Sequence, residues 1–151
     1  MATSANLSSL HDHEEEIRIN SPKLIDDKRD LREHLSMIHC AMDIIYAVAH
    51  DHANATDDEL TVQYLGLRLF NSAASSLKLG LSGYYQSALG LVRDVVEIVE
   101  LLDYMRSNPN QIAVWKASDQ KQRIASFGPG AIRKALSPIM QRFGRARDAY
   151  E

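Results

Sequence analysis

The apolar residues of this chain recur in alternating steps of four and three, and this spacing constrains the fold more than any other feature. The first strip of this kind consists of Leu31, Leu35, Ile38, Met42, Ile45 and Ala49. A second strip runs beside it and consists of Met37, Ala41, Ile44 and Val48. Steps of four and three are typical of α-helices that cross at a shallow angle. A helix that is apolar over about half of its circumference contacts two neighbours rather than one.

Capping residues predict where the first two helices begin. Ser21 is a favoured N-cap and Pro22 suits the first helical position, so a long helix is expected from there to about residue 52. Thr56 followed by Glu59 has the spacing of a capping box, in which each side chain accepts a hydrogen bond from the backbone N–H of the other residue. A second helix is therefore expected to begin at this point.

Breaking residues divide the second half of the chain. A third helix is expected at 84–107. Asn108 and Pro109 are expected to end this helix, and Asn108 is expected to cap a shorter, weaker helical stretch at 112–127. The sequence GPG at 128–130 is the clearest break. No segment shows the period-two alternation of a β-strand. The sequence thus predicts an all-α fold, a mainly antiparallel bundle of four to six helices of which two are long.

The two ends of the chain differ from the rest in composition. Residues 1–20 are polar and are acidic at 14–16, which predicts a flexible tail or at most a short docking segment. Residues 21–151 are expected to form a single helical-bundle domain. The last residues have no helix C-cap, so we expect the native chain to continue past residue 151.

Composition argues against several classes of function. The net charge of −3 lacks the basic field of a general nucleic-acid binder. Cys40 is the only cysteine, so no internal disulfide can form, which fits the cytoplasm. No stretch approaches the ~20 apolar residues of a membrane span, and the first residues do not resemble a signal peptide. His, Cys, Asp and Glu show no metal-site spacing, so neither a metal nor another cofactor is expected.

The stretch LVRDVVEIVELL (91–102) is an almost pure apolar run that contains Arg93, Glu97 and Glu100. At about 100° per residue these three side chains fall in one narrow polar strip on an otherwise core-like helix. Three interpretations are open: a solvated face with an Arg–Glu pair, a buried network or dimer contact, and a ligand or catalytic site built from carboxylates and an arginine.

The first long helix has a polar strip of its own. Its members are Arg32, His39, Asp43, Tyr46 and His50. If this strip faces the third helix, His39 and Asp43 would join the polar strip of that helix in one cleft. The alternative is that the strip faces solvent, and the spacing alone does not decide between them.

The segment RDLREH (29–34) contains Arg29 and His34 in an Arg-x4-His arrangement. This resembles the catalytic motif of HEPN-domain ribonucleases. In that family the two residues act on the RNA backbone without a metal, in a cleft formed between two protomers. The resemblance implies catalytic roles for Arg29 and His34. The family's motif usually lies late in the domain, whereas this one opens the first long helix.

Three further segments carry a second resemblance. They are SGYYQSALGLVRDVVEIVELLDYMRSNP (82–109), FGPGAIRKAL (127–136) and RDAYE (147–151). Together they are similar to a group of uncharacterised bacterial helical proteins that is itself distantly similar to HEPN domains. The resemblance implies that Arg93 and Glu97 form that group's Arg–Glu pair, that Tyr150 begins the last element, and that a Ser and a His-Pro follow beyond residue 151.

These patterns predict a non-enzymatic helical protein that acts by self-association or protein interaction. Two helices that are apolar on nearly two sides leave surface for a second copy to cover, so we expect a homodimer. Two alternatives remain open. One is a HEPN-type metal-independent ribonuclease or RNA-binding protein, and the other is a helical bundle that binds a small ligand near Arg93 and Glu97.

Overall fold

The computed structural model describes the backbone of residues 7–137 and the side chains from residue 9. Within this range the chain forms helices and no strand, so the predicted all-α fold is confirmed. The helices are α1 (Leu7–Asp26), α2 (Arg29–Asp51), α3 (Asp57–Leu81), α4 (Tyr85–Ser107), α5 (Asn110–Ala117) and α6 (Gln120–Phe127). Residues 129–137 are also helical up to the end of the described range. Tyr150, the predicted start of a last element, lies outside the described residues.

The chain is helical from Leu7, although the sequence predicts a polar tail over residues 1–20 and a helix start at Ser21. The predicted start is wrong, because Pro22 lies inside α1 and the break comes later, at Lys28, which has an extended backbone. Polar residues of α1 are held by local pairs, such as the Arg18–Glu15 ion pair at 2.6 Å. Such pairs support a helix that periodicity alone does not reveal.

Contacts divide the described residues into two compact units. Unit one contains the chain up to His52 together with Gly66–Val95. Unit two contains Ala53–Leu65 and the chain from Val96 onward. Both α3 and α4 therefore contribute residues to each unit, and the single domain expected over 21–151 stays a prediction.

In unit one, α3 and α4 pack as an antiparallel pair. A Cβ atom at Gly80 would lie 3.9 Å from the Cβ of Ala88, so a small residue allows the two helices to approach near their connection. The turn between them is a Schellman motif: the Tyr84 N–H donates to the Leu79 carbonyl at 2.9 Å, and Gly83 has a φ of 89°. This left-handed position favours glycine.

In unit two, a cluster of apolar side chains forms a small core. Phe127, Ile132 and Leu136 are buried, with Leu101, Tyr104 and Trp115 packed against them. The Tyr104 and Phe127 rings meet edge to face at 6.3 Å between centroids.

Two capping predictions in unit two have different outcomes. The capping box predicted before α3 forms in part: the Glu59 N–H donates to Thr56 Oγ1 at 3.1 Å, but the Glu59 carboxylate accepts from the N–H of Ala55, one residue before Thr56. The prediction that Asn108 caps the following helix is wrong. Its side-chain amide instead donates to the Tyr104 carbonyl at 3.0 Å and so closes the end of α4.

The weak helical stretch predicted at 112–127 is divided into α5 and α6. Asp119 starts α6 through a capping box with Gln122, in which the two hydrogen bonds measure 2.8 and 3.0 Å. The break predicted at 128–130 falls at Gly128, which ends α6. A Cβ atom there would lie 2.4 Å from the Ile124 carbonyl oxygen, so the close backbone approach requires glycine.

Candidate functional site

Helix α2 packs through part of its first strip, of which Leu31 and Ile38 are exposed, and it leaves its second strip exposed. On the packed side, the Ile45 side chain lies 3.9 Å from the position of a Cβ at Gly66, and the Tyr46 ring lies 6.0 Å from that of Phe70. No residue of this 23-residue helix is buried. The large members of the second strip are 67% (Met37), 61% (Ile44) and 52% (Val48) exposed. Within the described residues, the second neighbour that the sequence predicts for this helix does not cover the strip.

The second strip has a basic group at one end and an acidic group at the other. His34 lies three residues before Met37, and Asp51 lies three residues after Val48. Residues three or four apart share a helix face, so both side chains extend the strip. Both residues are exposed. The strip is therefore an apolar surface with opposite polar ends.

Arg29 and His34 both lie on the exposed surface of α2, but they do not share a face. Five residues of helix separate them by about 140° around the axis. Arg29 Nε pairs with Glu33 at 2.7 Å. The catalytic roles implied by the HEPN resemblance would need a cleft between two protomers, and they stay a prediction.

His39 and Asp43 line a cavity of about 300 Å³ between α2 and α3 in unit one. Its other lining residues are Met42, Tyr46 and Phe70. The ring of His50 stacks on Tyr46 with 3.8 Å between centroids. His39, Asp43 and Tyr46, three members of the polar strip predicted on the first long helix, thus lie close to Phe70 of α3. The periodicity of α2 alone could not identify Phe70 as their neighbour.

A larger cavity of about 370 Å³ adjoins this one and shares His39 and Met42 with it. The remaining residues that line it are Arg18, Pro22, Ala74, Leu77, Lys78, Leu81 and Ser82. All of these residues belong to unit one. The lining combines an apolar floor with cationic side chains, and it contains no carboxylate.

The helix predicted at 84–107 is α4, and its polar strip is exposed at Arg93 and partly sheltered at Glu97 and Glu100. Arg133 Nε donates to both oxygens of Glu100 at 2.8 and 2.9 Å, which holds the helical segment 129–137 against α4 within unit two. Glu100 therefore belongs to an ion pair between helices. The three interpretations of Arg93 and Glu97 remain as the sequence leaves them.

Periodicity did not single out Asp94, a carboxylate of α4 that binds side chains of α3. Its side chain is 23% exposed and accepts hydrogen bonds from Ser72 Oγ at 2.7 Å and from the Arg68 guanidinium. A signal was present, because Asp94 interrupts a line of apolar residues in steps of three and four. The line consists of Leu91, Asp94, Ile98, Leu101 and Met105. A carboxylate in such a line needs partners on a neighbouring helix.

The described residues contain no group of three or more His, Cys, Asp or Glu side chains that could hold a metal ion. None of the helices in the described range combines the length and apolar character needed to cross a membrane. No protein-family model, curated protein or solved structure matches this chain.

Proposed function

We propose that this protein acts by self-association, through antiparallel pairing of α2 with α2 of a second copy. The observation that carries the proposal is the exposure of Met37, Ile44 and Val48 along one face of a helix without a buried residue. Contiguous apolar surface of this kind marks interaction sites in proteins. Spacing in steps of four and three suits a partner that is itself a helix.

The polar side chains at the ends of the second strip favour a second copy in antiparallel orientation. If Met37 of one copy faces Val48 of the other, then His34 faces Asp51 of the second copy, and this contact occurs twice by symmetry. A parallel pair would instead place Asp51 against Asp51, which is unfavourable. Antiparallel helix dipoles also attract each other.

The size of the surface sets the expected affinity. A helix of 23 residues is about 35 Å long, and one face of it covers roughly half of the ~800 Å² per partner in a standard interface. We therefore expect a dissociation constant in the micromolar range.

Light scattering coupled to size exclusion tests the proposal on the full chain at roughly 10 to 200 µM, a range that spans micromolar pairing. The wild type should approach the dimer mass as the concentration rises, and Ile44→Asp should remain a monomer. Val92→Asp is the matched control, because Val92 is an exposed apolar residue of α4 at 44%. It should pair like the wild type.

Two results would overturn the proposal. One is a wild type that stays monomeric over the whole concentration range. The other is dissociation by Val92→Asp with no effect of Ile44→Asp, which would place the contact on α4. Circular dichroism of each variant identifies any loss of helix.

A further inference from the structure

The 370 Å³ cavity of unit one has a volume in the range of small-molecule sites. Its floor is formed by Met42, Ala74, Leu77 and Leu81. These side chains come from α2 and from the last two turns of α3. We refer to this cavity as the groove. A ligand in it would place an apolar body against aliphatic side chains and expose one end to solvent.

The rim of the groove carries more positive than negative charge. Arg18, His39 and Lys78 line it, and no Asp or Glu does. Arg18 is largely compensated, because its Nε and Nη2 donate to both oxygens of Glu15 at 2.7 and 2.6 Å. The Lys78 ammonium makes neither an ion pair nor a hydrogen bond within the described part of the chain. One uncompensated ammonium matches a ligand with a single negative charge.

Ser82 adds a polar group inside the groove. The residue as a whole is only 6% exposed, and it lines the groove. Its backbone is fixed at the end of α3, where its N–H donates to the Lys78 carbonyl at 3.1 Å. A hydroxyl at this position can donate a hydrogen bond to a ligand oxygen.

From this combination we infer that the groove binds a free fatty acid, a monocarboxylate with an alkyl chain of medium length. The alkyl chain lies along Leu77 and Leu81, and the carboxylate lies at the rim beside Lys78. This site is separate from the second strip of α2, since Met37, Ala41, Ile44 and Val48 do not line the groove.

Calorimetric titration of the full chain with decanoate, below its micelle concentration, tests the inference. Decanol and decyltrimethylammonium have the same chain length with no charge and with a positive charge, and both should bind at least about tenfold more weakly. Lys78→Gln should weaken decanoate about tenfold and leave decanol unchanged. Lys134→Gln, at an exposed lysine outside unit one, is the control for a general loss of charge.

Two further variants locate the binding site. Ala74→Phe fills the floor of the groove and should abolish binding of both decanoate and decanol, while Ile44→Asp should keep both. The inference is overturned if decanoate does not bind, if decyltrimethylammonium binds as well as decanoate, or if Lys78→Gln binds decanoate like the wild type. Loss of binding in Ile44→Asp would place the alkyl chain on the second strip and would also overturn it. Lys78→Gln decides the outcome if Ala74→Phe fails to fold.

Discussion

The hydroxyl of Ser72 donates a 2.7 Å hydrogen bond to Asp94 and so connects α3 with α4 inside unit one. The Arg68 guanidinium contacts the other oxygen of the same carboxylate. Burial by itself would raise the pKa of Asp94, but the hydrogen bonds from Ser72 and Arg68 and the charge of Arg68 outweigh it. The pKa of Asp94 therefore lies below its ordinary value, and the ionised form stabilises the fold.

Replacing this carboxylate should destabilise the protein in a pH-dependent way. Asp94→Asn should lower the free energy of unfolding by about 1–2 kcal/mol at neutral pH. Because the pKa is lowered in the folded state, the contribution is present above the unfolded-state pKa of about 3.9 and is lost as the pH falls through the folded-state pKa. Urea unfolding of both proteins across this range measures the difference, which should shrink at acid pH.

Asp103→Asn is the matched control, since Asp103 is on the same helix and its one partner among the described residues is the exposed Arg106 three residues on. Its effect should be smaller than that of Asp94→Asn. A difference between wild type and Asp94→Asn that is constant or grows toward acid pH would contradict the assignment.

Asp94 also illustrates what the sequence can predict and what it cannot. Helix periodicity and caps are local signals, so the helix predicted at 84–107 agrees with α4 (Tyr85–Ser107) to within one residue. The direction in which α4 faces its neighbours depends on residues far away in the chain, here Arg68 and Ser72. The polar strip drew attention to Arg93, which is exposed, and away from Asp94 one residue later.

The boundary between α1 and α2 shows the same limit. Proline usually marks a helix start, yet Pro22 lies inside α1 and the chain breaks at Lys28, which is not a typical breaking residue. The groove could not be predicted at all, because its lining residues come from separate parts of the sequence. In contrast, the second strip of α2 was predicted residue by residue, since one helix carries all of it.

The Schellman turn that ends α3 should be sensitive to a side chain at Gly83. Its φ of 89° is unfavourable for other residues, and a Cβ atom would lie 3.1 Å from Cδ1 of Ile17 in α1. Gly83→Ala should destabilise the fold by about 1–2 kcal/mol, measured by thermal or urea unfolding.

Gly90→Ala is a matched control, because Gly90 lies within α4 and a Cβ there meets nothing within 4 Å. It should stabilise the protein by about 0.5–1 kcal/mol, since alanine favours the helix over glycine. Equal effects of the two substitutions would show that the turn does not need a positive φ.

The polar ends of the second strip offer a test of orientation by charge. Asp51→Lys should weaken self-association about two- to thirtyfold, because each of two symmetric contacts contributes a fraction of a kcal/mol to about 1 kcal/mol. Adding His34→Asp to that variant reverses both ends and should restore the affinity. Sedimentation equilibrium measures the three dissociation constants. A double variant that pairs no better than Asp51→Lys would argue against contact between these ends.

Cysteine cross-linking tests the proposed pairing of α2 most directly. In a Cys40→Ser background, Met37→Cys and Val48→Cys together should give a covalent dimer under mild oxidation. In the proposed pairing, the thiol at position 37 of one copy faces the thiol at position 48 of the other copy. Met37→Cys alone should not, since the two equivalent positions would lie about 16.5 Å apart along antiparallel helices. Absence of a covalent dimer from the double variant, or an equally efficient one from Met37→Cys alone, would contradict antiparallel pairing through the second strip.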